Sequence, residues 1–415
     1  CQDFNPLDIN IELIDKCLRA MKLGKAAGPD GLTTEHLIHA HPVLLSHMCC
    51  LFRCIISHSY VPNDFGLGLI IPLVKDKSGD LYSVSNYRGI TLIPVLSKLF
   101  EGVLLQNCEE VLSVDDLQFG FRKGSGCPQA LYTLKSTVDY FTNRGSSVYA
   151  AALDISKAFD TVKHSELFRT LSVAGVPKWI IAVIMNWYSK LFVAVRWCAN
   201  ISHWFKVGSG VRQGSMLSPS FFNSFINIMI VAIKLQRTGC CINNCFIGCI
   251  LYADDIILLS ASVVGLQNML NTCYATISNL QLKFNCAKSF CICFGLRHKQ
   301  ALAPMTLGND NIAWSTSIKY LGIIVKSGYK FLVDFEAVKR KYYMACNTIL
   351  CNSVFQTELL RLQLLETYCL PILTYCVAAL DITRTQLKEL NACWNKKKKK
   401  IFGFNKWESV RCFIA

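Results

Sequence analysis

Two adjacent aspartates divide one of the most apolar stretches of the chain. Asp254 and Asp255 lie between the apolar runs 246–251 and 256–260, within the segment CILYADDIILL (249–259). Runs of this length and composition predict two buried β-strands joined by a tight turn. Aspartate also suits a turn for conformational reasons, so on this segment alone a structural and a functional role both stay open.

A second strand end carries acid as well. The apolar run 147–153 stops at Asp154, which taken singly is an exposed strand end. Carboxylates held together beside a hydrophobic sheet repel one another unless a cation neutralises them. If the two strands are neighbours, three carboxylates surround one site that would hold two Mg²⁺ ions, with Mn²⁺ as the alternative. Two ions about 4 Å apart suit an in-line phosphoryl displacement.

Composition limits the class of partner. The 43 Lys and Arg residues against 28 Asp and Glu give a formal net charge of +15. This balance favours a polyanion such as nucleic acid, although a merely basic surface has the same composition. At 415 residues, 52% of them hydrophobic, the chain is expected to form two or more subdomains. No charge-free apolar run approaches the roughly 18 residues of a membrane span, so no membrane partner is expected.

The 22 cysteines, without a signal peptide, indicate a reducing intracellular compartment and not secretion. The cluster formed by Cys240, Cys241, Cys245 and Cys249 lacks paired spacing and a nearby histidine, which disfavours zinc and favours small buried hydrophobes. The basic run Lys396–Lys400 is interpreted either as a phosphate contact or as a solvated tail that is partly disordered.

Around its carboxylates the chain resembles the reverse transcriptases. LDISKAFDTV (153–162) is similar to their polymerase motif A, and YADD (252–255) to motif C, about 100 residues further on. The early AAGPDGL (26–32) resembles a signature of non-LTR (LINE-type) retrotransposon polymerases. Similar segments for motif B, the fingers, the region before the palm, motif D and motif E are 208–227, 85–101, 116–126, 284–295 and 318–325.

The resemblance implies an α+β right-hand polymerase fold, with an antiparallel palm sheet packed on helices. The expected order is an N-terminal extension with the GPDG motif (1–54), fingers and palm (55–330), and a helical thumb with a basic C-terminal segment (331–415). The implied activity is RNA-directed DNA synthesis. Its partners would be an RNA template, a DNA primer and deoxynucleoside triphosphates.

The resemblance also assigns roles residue by residue. Asp154, Asp254 and Asp255 would bind the metal ions, and Lys288 would protonate the leaving pyrophosphate. Phe159 would act as a steric gate against a ribose 2′-hydroxyl. The remaining implied contacts are the nucleotide-binding residues Arg88, Lys75, Gln213 and Gly214, and the primer grip Tyr320, Leu321 and Gly322. Without the resemblance, Arg88, Lys75 and Lys288 are surface cations and Phe159 is a core residue.

Other readings are weaker on the sequence. Viral RNA-directed RNA polymerases commonly place glycine where Ala253 stands, and the maturase extension of group II intron proteins is not apparent. A catalytically inactive relic, or a domesticated nucleic-acid-binding protein, is the alternative function. The family further implies a ribonucleoprotein of nucleus and cytoplasm, and an upstream endonuclease domain that residues 1–415 do not contain.

Overall fold

The computed structural model describes residues 9–77, 79–375, 377–380, 382–405 and 407–408. The first eight residues of the predicted N-terminal extension and the last seven of the predicted thumb segment lie outside this range. The chain divides into two compact units. Unit 1 comprises Cys1–Phe121, Ile155–Ala232 and Thr272–Phe284, and unit 2 comprises Arg122–Asp154, Ile233–Asn271 and Asn285–Ala415.

The helices of the described residues are α1 (Ile11–Ala20), α2 (Thr34–Ile38), α3 (Val43–Ser57), α4 (Val95–Gln106), α5 (Cys127–Thr142), α6 (Ala158–Thr161), α7 (His164–Val173), α8 (Lys178–Ser189), α9 (Ser218–Leu235), α10 (Val263–Asn279), α11 (Phe335–Asn352), α12 (Glu358–Tyr368), α13 (Leu370–Thr374) and α14 (Arg384–Ile401). The strands are β1 (Leu67–Val74), β2 (Tyr87–Leu92), β3 (Val148–Asp154), β4 (Phe192–Trp197), β5 (Asn200–Ile201), β6 (Phe205–Lys206), β7 (Cys241–Ile242), β8 (Cys245–Phe246), β9 (Cys249–Tyr252), β10 (Asp255–Ser260), β11 (Phe290–Phe294), β12 (Met305–Leu307), β13 (Asp310–Trp314), β14 (Ser317–Tyr320), β15 (Ile323–Lys326) and β16 (Leu332–Val333).

Unit 1 combines a small sheet with an aromatic core. Its strands follow the order β2-β1-β4-β5, with β6 also paired to β4. Strand β1 is antiparallel to β2 and parallel to β4. Helices α1, α3, α4 and α8 pack around Phe52, Phe100 and Trp187, which are fully buried. The ring centroids of Phe100 lie 4.9 Å from Phe52 and 5.6 Å from Trp187, which anchors the helices beside the sheet.

Unit 2 is built on a six-stranded sheet in the order β12-β13-β11-β3-β10-β9. Neighbouring strands are antiparallel except β11 and β13, so the expected antiparallel sheet contains one parallel pair. Alanine is depleted in strands, yet Ala150 and Ala151 are fully buried in β3, against which α5 packs. Small side chains allow this close approach of helix and sheet. Helices and sheets together give the α+β fold that the sequence predicts.

The C-terminal part of unit 2 is helical. Helices α11, α12, α13 and α14 enclose Tyr342, Cys346, Leu365 and Cys369, all fully buried. The run Lys396–Lys400 forms the last turns of α14, so its interpretation as a partly disordered tail is wrong. Lys397 is only 6% exposed, and its Nζ donates to Asn347 Oδ1 at 2.6 Å. Burial lowers the pKa of this ammonium group.

Two segments reach the length and hydropathy of a membrane span by composition alone, Ser218–Leu235 and Glu358–Ala379. The sequence search for a charge-free run missed the first, which contains one lysine. Of its residues 56% are buried, including Phe221 and Phe225. Asn223 is also buried, and its Nδ2 donates to the Gly120 carbonyl oxygen at 2.7 Å. Buried aromatic and hydrogen-bonded polar groups in one helix are features of a core helix.

Two further differences separate sequence and structure. Residues 90–112 have a helical pattern, but 90–92 belong to β2, because pairing with β1 overrides the local periodicity. In the cysteine cluster, Cys240 and Cys249 are buried, whereas Cys241 and Cys245 are exposed on the β7–β8 hairpin. No group of three or more His, Cys, Asp or Glu side chains in the described part of the chain is placed to hold a metal ion.

Candidate active site

The acidic strand ends meet in unit 2. Strand β10 runs antiparallel to β3, and the register places Asp255 opposite Asp154. Residues directly opposite in an antiparallel pair point to the same face, with Cα atoms about 4.5–5.5 Å apart. The predicted neighbourhood of the two strand ends is therefore confirmed. Both carboxylates lie at one end of these two strands, where β3 ends and β10 begins inside the six-stranded sheet.

The turn between β9 and β10 places the third carboxylate. Tyr252 pairs with Asp255, so Ala253 and Asp254 form a two-residue connection. Ala253 has a left-handed φ of +56° and is 4% exposed. For a residue other than glycine this conformation costs roughly 1–2 kcal/mol. The strain is concentrated at the residue that precedes the paired aspartates, as is common where a side chain must be held for function.

The backbone of Asp154 is fixed from the other side of β3. Its N–H donates to Ser289 Oγ at 3.2 Å, and its carbonyl oxygen accepts from the Asn285 N–H at 2.8 Å. Ser289 Oγ in turn donates to the Asn285 carbonyl oxygen at 2.9 Å. Lys288 belongs to this same short segment and is exposed. This segment therefore places Lys288, the candidate proton donor, near the end of β3 that carries Asp154, a candidate metal ligand.

The fit of a divalent ion rests on donor chemistry and strand register. Asp154 and Asp255 present oxygen donors from one face, and Asp254 adds a third from the adjoining turn. Hard cations such as Mg²⁺ prefer oxygen ligands of this kind. The carboxylates of the described residues are not themselves gathered as a three-ligand cluster. The metal role of the three aspartates therefore stays a prediction.

The predicted primer grip is a second hairpin of unit 2. Tyr320 pairs with Ile323, so Leu321 and Gly322 form the turn, with φ of +41° and +84°. Positive φ at both positions is the pattern of a type I′ turn. Tyr320 is 3% exposed, and its hydroxyl donates to the Ile250 carbonyl oxygen in β9 at 3.3 Å. The exposed residue of the turn is Gly322, so a primer would meet its backbone and not the tyrosine ring.

Burial raises the pKa of Tyr320 well above its usual value, and the negative charge of Asp255 acts in the same direction. The hydroxyl therefore stays protonated and continues to donate to β9. Tyr320 thus links the β14–β15 hairpin to the strand that leads into the acidic turn. The contact with primer stays a prediction for the turn as a whole.

Two of the predicted nucleotide-binding residues lie on the β1–β2 ribbon of unit 1. Arg88 is exposed and pairs with Leu73 across the ribbon. Lys75 follows β1, and its N–H donates to the Asn86 carbonyl oxygen at 2.8 Å. Lys75 lies two residues after Leu73, and side chains two residues apart on a strand share a face. Because Leu73 is paired with Arg88, the cations of Lys75 and Arg88 project from the same side. Lys75 Nζ itself donates to the Ser85 carbonyl oxygen at 3.0 Å.

The other predicted nucleotide contacts also lie in unit 1, close to one another. The Phe159 ring stacks on Phe222 with centroids 4.3 Å apart, and the Phe159 carbonyl oxygen accepts from the Val211 N–H at 2.8 Å. Gln213 Nε2 donates to Asp160 Oδ1 at 3.1 Å. The steric-gate candidate and the candidate turn are therefore held together by side-chain and backbone hydrogen bonds.

Gly214 has a structural requirement of its own. Its φ is +127°, and a Cβ atom at this position would lie 2.4 Å from the Thr91 carbonyl oxygen. The Thr91 N–H donates to the Gln213 carbonyl oxygen at 2.7 Å. A glycine is therefore needed for the turn to lie against β2. Strand β2 also carries Arg88.

Sequence reasoning missed several residues that support these groups. They are Asn285 and Ser289 behind Asp154, and Thr91 and Asp160 beside Gln213. All four lie inside the matched segments but carried no role of their own. In the sequence they are simply polar residues near apolar runs. Such residues are too common for the sequence to show which of them support a site residue.

An α+β fold with aspartates where β3 ends and β10 begins is the arrangement that the resemblance to the reverse transcriptases implies. Residues 74–325 match the family described as reverse transcriptase (RNA-dependent DNA polymerase). The chain belongs to this family, as the sequence predicts. Its curated relatives include a polyprotein of an R2 element, a 115 kDa protein of an R1 element and a polymerase of a jockey element, which confirms the non-LTR type.

The relatives are similar over much of this chain. The Pol polyprotein of the type-2 retrotransposable element R2DM of Drosophila melanogaster is 26% identical over 282 residues, covering 68% of this chain and 26% of that protein. The RNA-directed DNA polymerase of the mobile element jockey of Drosophila funebris is 23% identical over 409 residues, covering 95% and 44%. The chain thus spans less than half the length of either relative.

Among solved structures, apo telomerase from Candida tropicalis, truncated from its C-terminal domain, has a TM-score of 0.45 and 13% identity. That alignment covers 71% of this chain and 60% of that one. Telomerase from Candida albicans with a fragment of telomeric RNA has a TM-score of 0.48 and 11% identity, covering 88% and 67%.

Proposed function

We propose that this chain is the polymerase portion of a retrotransposon protein and extends a DNA 3′-hydroxyl on an RNA template. The observation that carries the proposal is the pairing of Asp154 with Asp255, with Asp254 in the adjoining turn. Family membership of residues 74–325 supports the same activity. The proposed partners are the RNA template, the DNA primer and deoxynucleoside triphosphates.

The reaction breaks one phosphoanhydride bond and forms one phosphodiester bond. The 3′-oxygen attacks the α-phosphorus in line with the leaving pyrophosphate, and the hydroxyl proton passes to solvent. Two divalent ions, when held by Asp154, Asp254 and Asp255, would stabilise charge on the attacking and leaving oxygens. Lys288 is exposed beside the backbone of Asp154, where its ammonium group would donate a proton to pyrophosphate.

The residues of unit 1 would bind and select the nucleotide. Arg88 offers a planar guanidinium suited to bidentate contact with the triphosphate, and Lys75 adds a second cation on the same face of the ribbon. Phe159, fixed by its stack on Phe222, would exclude a ribose 2′-hydroxyl. Gln213 and Gly214 would contact the base pair formed by template and nucleotide. Phosphoryl transfer needs positioning and charge more than covalent participation.

The setting of this activity is proposed from the relatives. An endonuclease domain elsewhere in such a protein would nick DNA and supply the primer, and the product would serve retrotransposon copying. Each described cysteine is a free thiol, as is usual in a reducing compartment. A ribonucleoprotein of nucleus and cytoplasm is the form that the resemblance implies.

Primer extension tests the proposal directly. The purified chain, an RNA template rich in adenine, a DNA primer, dTTP and Mg²⁺ are combined, and the Asp254→Ala variant is run in parallel. Extension by the parent and none by the variant is expected, with equal primer–template binding in a mobility-shift assay. A folded parent that binds primer–template but extends nothing would favour the inactive nucleic-acid-binding protein.

A further inference from the structure

A buried carboxylate lies behind the candidate nucleotide turn of unit 1. Glu101 belongs to α4, whose other buried residues are uncharged, and is only 1% exposed. Its oxygens accept three hydrogen bonds, from Arg212 Nη2 at 2.9 Å, Ser215 Oγ at 2.8 Å and the Met216 N–H at 2.6 Å. All three donors lie within the five residues that contain Gln213 and Gly214. The carboxylate therefore binds the residues before and after Gln213 and Gly214.

The partner cation is equally enclosed. Arg212 is 6% exposed, and its Nη1 donates to the Phe65 carbonyl oxygen at 3.1 Å. That oxygen also accepts from Ser97 Oγ at 3.1 Å and from Trp187 Nε1 at 3.0 Å. The Arg212 guanidinium carbon lies 5.0 Å from the Trp187 ring centroid, within the range of a cation–π contact. Arg212 is thus fixed at both ends of its guanidinium group.

The network continues into the strand that carries Arg88. The turn that Glu101 holds is bonded to β2 through the Thr91 N–H and the Gln213 carbonyl oxygen at 2.7 Å. Gly214 lies close against β2, because a Cβ there would clash with the Thr91 carbonyl oxygen. The position of Gln213 relative to Arg88 is therefore set by bonds that run from α4 through the turn to β2.

A buried ion pair is a poor way to gain stability. Desolvation offsets most of the attraction between the charges, and hydrophobic residues of similar volume are often at least as stable. Hydrophobic residues, however, could not accept hydrogen bonds from the Ser215 hydroxyl and the Met216 N–H. They therefore could not fix the direction of the turn. We infer that Glu101 and Arg212 are positioning residues that hold the Gln213–Gly214 turn for the incoming nucleotide. This inference rests on the proposed polymerase function.

The first measurement concerns the turn itself and needs no activity. Hydrogen exchange is followed at the Met216 amide in the parent, in Glu101→Gln, and in the double variant Glu101→Met with Arg212→Met. Glutamine keeps the volume of Glu101, but its N–H₂ group would replace one carboxylate oxygen and face a donor. At least one of the three hydrogen bonds is therefore lost. The double variant removes both charges while retaining bulk, so it is expected to fold. Faster exchange at Met216 is expected in both variants.

The second measurement is the KM for dTTP in primer extension, together with kcat at saturating dTTP. Both variants are expected to raise the KM about tenfold, the size of one lost charge-assisted hydrogen bond, with a much smaller change in kcat. Primer–template affinity should match the parent. Asp15→Asn, which breaks the exposed ion pair with Arg19, is the control and should leave the KM unchanged.

The outcomes separate a positioning role from a structural one. A folded double variant with the parental KM would overturn the inference, as would unchanged exchange at Met216. Faster exchange without a change in KM would also overturn it, because the pair would then serve the fold alone. If the parent extends no primer, the proposed function fails and the nucleotide role fails with it, while the exchange data still show whether the pair holds the turn.

Discussion

Asp154 and Asp255 lie directly opposite each other across the β3–β10 pair, one at the end of its strand and the other at the beginning. Like charges in this position destabilise a sheet. They are nevertheless placed in the centre of a six-stranded sheet whose other residues in these two strands are mostly buried. A cation that neutralises both would turn the repulsion into a binding site.

Asp255→Asn separates the effect of this charge on stability from its effect on primer extension. Removal of one of two opposed carboxylates should raise the free energy of unfolding in EDTA by up to about 1 kcal/mol. Primer extension in Mg²⁺ should fall by at least about 100-fold, because charge stabilisation at the reacting phosphate is lost. Urea unfolding and extension assays measure the two effects. Asp64→Asn, an exposed acid of unit 1, should change neither, and lower stability of Asp255→Asn in EDTA would contradict the repulsion.

Gly214→Ala tests the close approach of the turn to β2. The new Cβ would lie 2.4 Å from the Thr91 carbonyl oxygen, so the turn must move, at a cost of roughly 1–3 kcal/mol in the free energy of unfolding. The KM for dTTP should rise with it. Gly145→Ala is the matched control, because φ is +81° there but no atom lies within 4 Å of the added Cβ. It should show backbone strain without a change in KM.

The acidic hairpin was predictable because its signals are local. Two apolar runs around Asp254 and Asp255 define both strands and the turn, and the run that stops at Asp154 defines β3. The neighbourhood of β3 and β10 depends on pairing across about 100 residues, and the apolar runs left it as a condition that the resemblance to the reverse transcriptases favoured. The local pattern was sufficient for the strands and the turn, and the structure supplies their pairing with β3.

Other features depend on tertiary contacts that leave no local signal. The pattern of residues 90–112 is helical, but partners in β1 draw 90–92 into a strand. Tyr320 is predicted as part of the primer grip, yet its ring is buried and its hydroxyl is bonded to β9. Glu101 and Arg212 lie within matched segments, but their pairing spans more than a hundred residues. A single sequence shows that each charge must find a partner when buried, without showing which one.

Phe159→Val tests the steric gate. A smaller side chain leaves space for a 2′-hydroxyl, so the preference for dTTP over UTP should fall about tenfold or more. The loss of the stack on Phe222, with centroids 4.3 Å apart, should also lower stability. Phe222→Leu removes the same stack but keeps the Phe159 ring. This control should lose stability with little change in discrimination, and a loss of discrimination equal to that of Phe159→Val would contradict a gate at residue 159.

His164 gives unit 1 a dependence on acid. Burial lowers the pKa of its imidazole from 6.5, and the hydrogen bond from Nε2 to the Gly210 carbonyl oxygen, at 3.0 Å, acts in the opposite direction. Between the lowered pKa and 6.5, the unfolded chain binds a proton that the folded chain does not. The free energy of unfolding should therefore be fully retained above pH 6.5 and fall as the pH drops through this window.

Urea unfolding at about pH 7.5 and about pH 5.5 measures this effect in the parent and in His164→Gln. The glutamine variant cannot gain the proton, so its free energy of unfolding should fall less between the two pH values. His39→Gln, a change at an exposed histidine of the same unit, should keep the parental slope. An equal loss in the parent and in His164→Gln would assign the acid sensitivity to other groups. A smaller loss in His164→Gln alone would assign the acid sensitivity to His164 and its hydrogen bond with Gly210. Gly210 lies four residues before Gly214, the glycine of the candidate nucleotide turn.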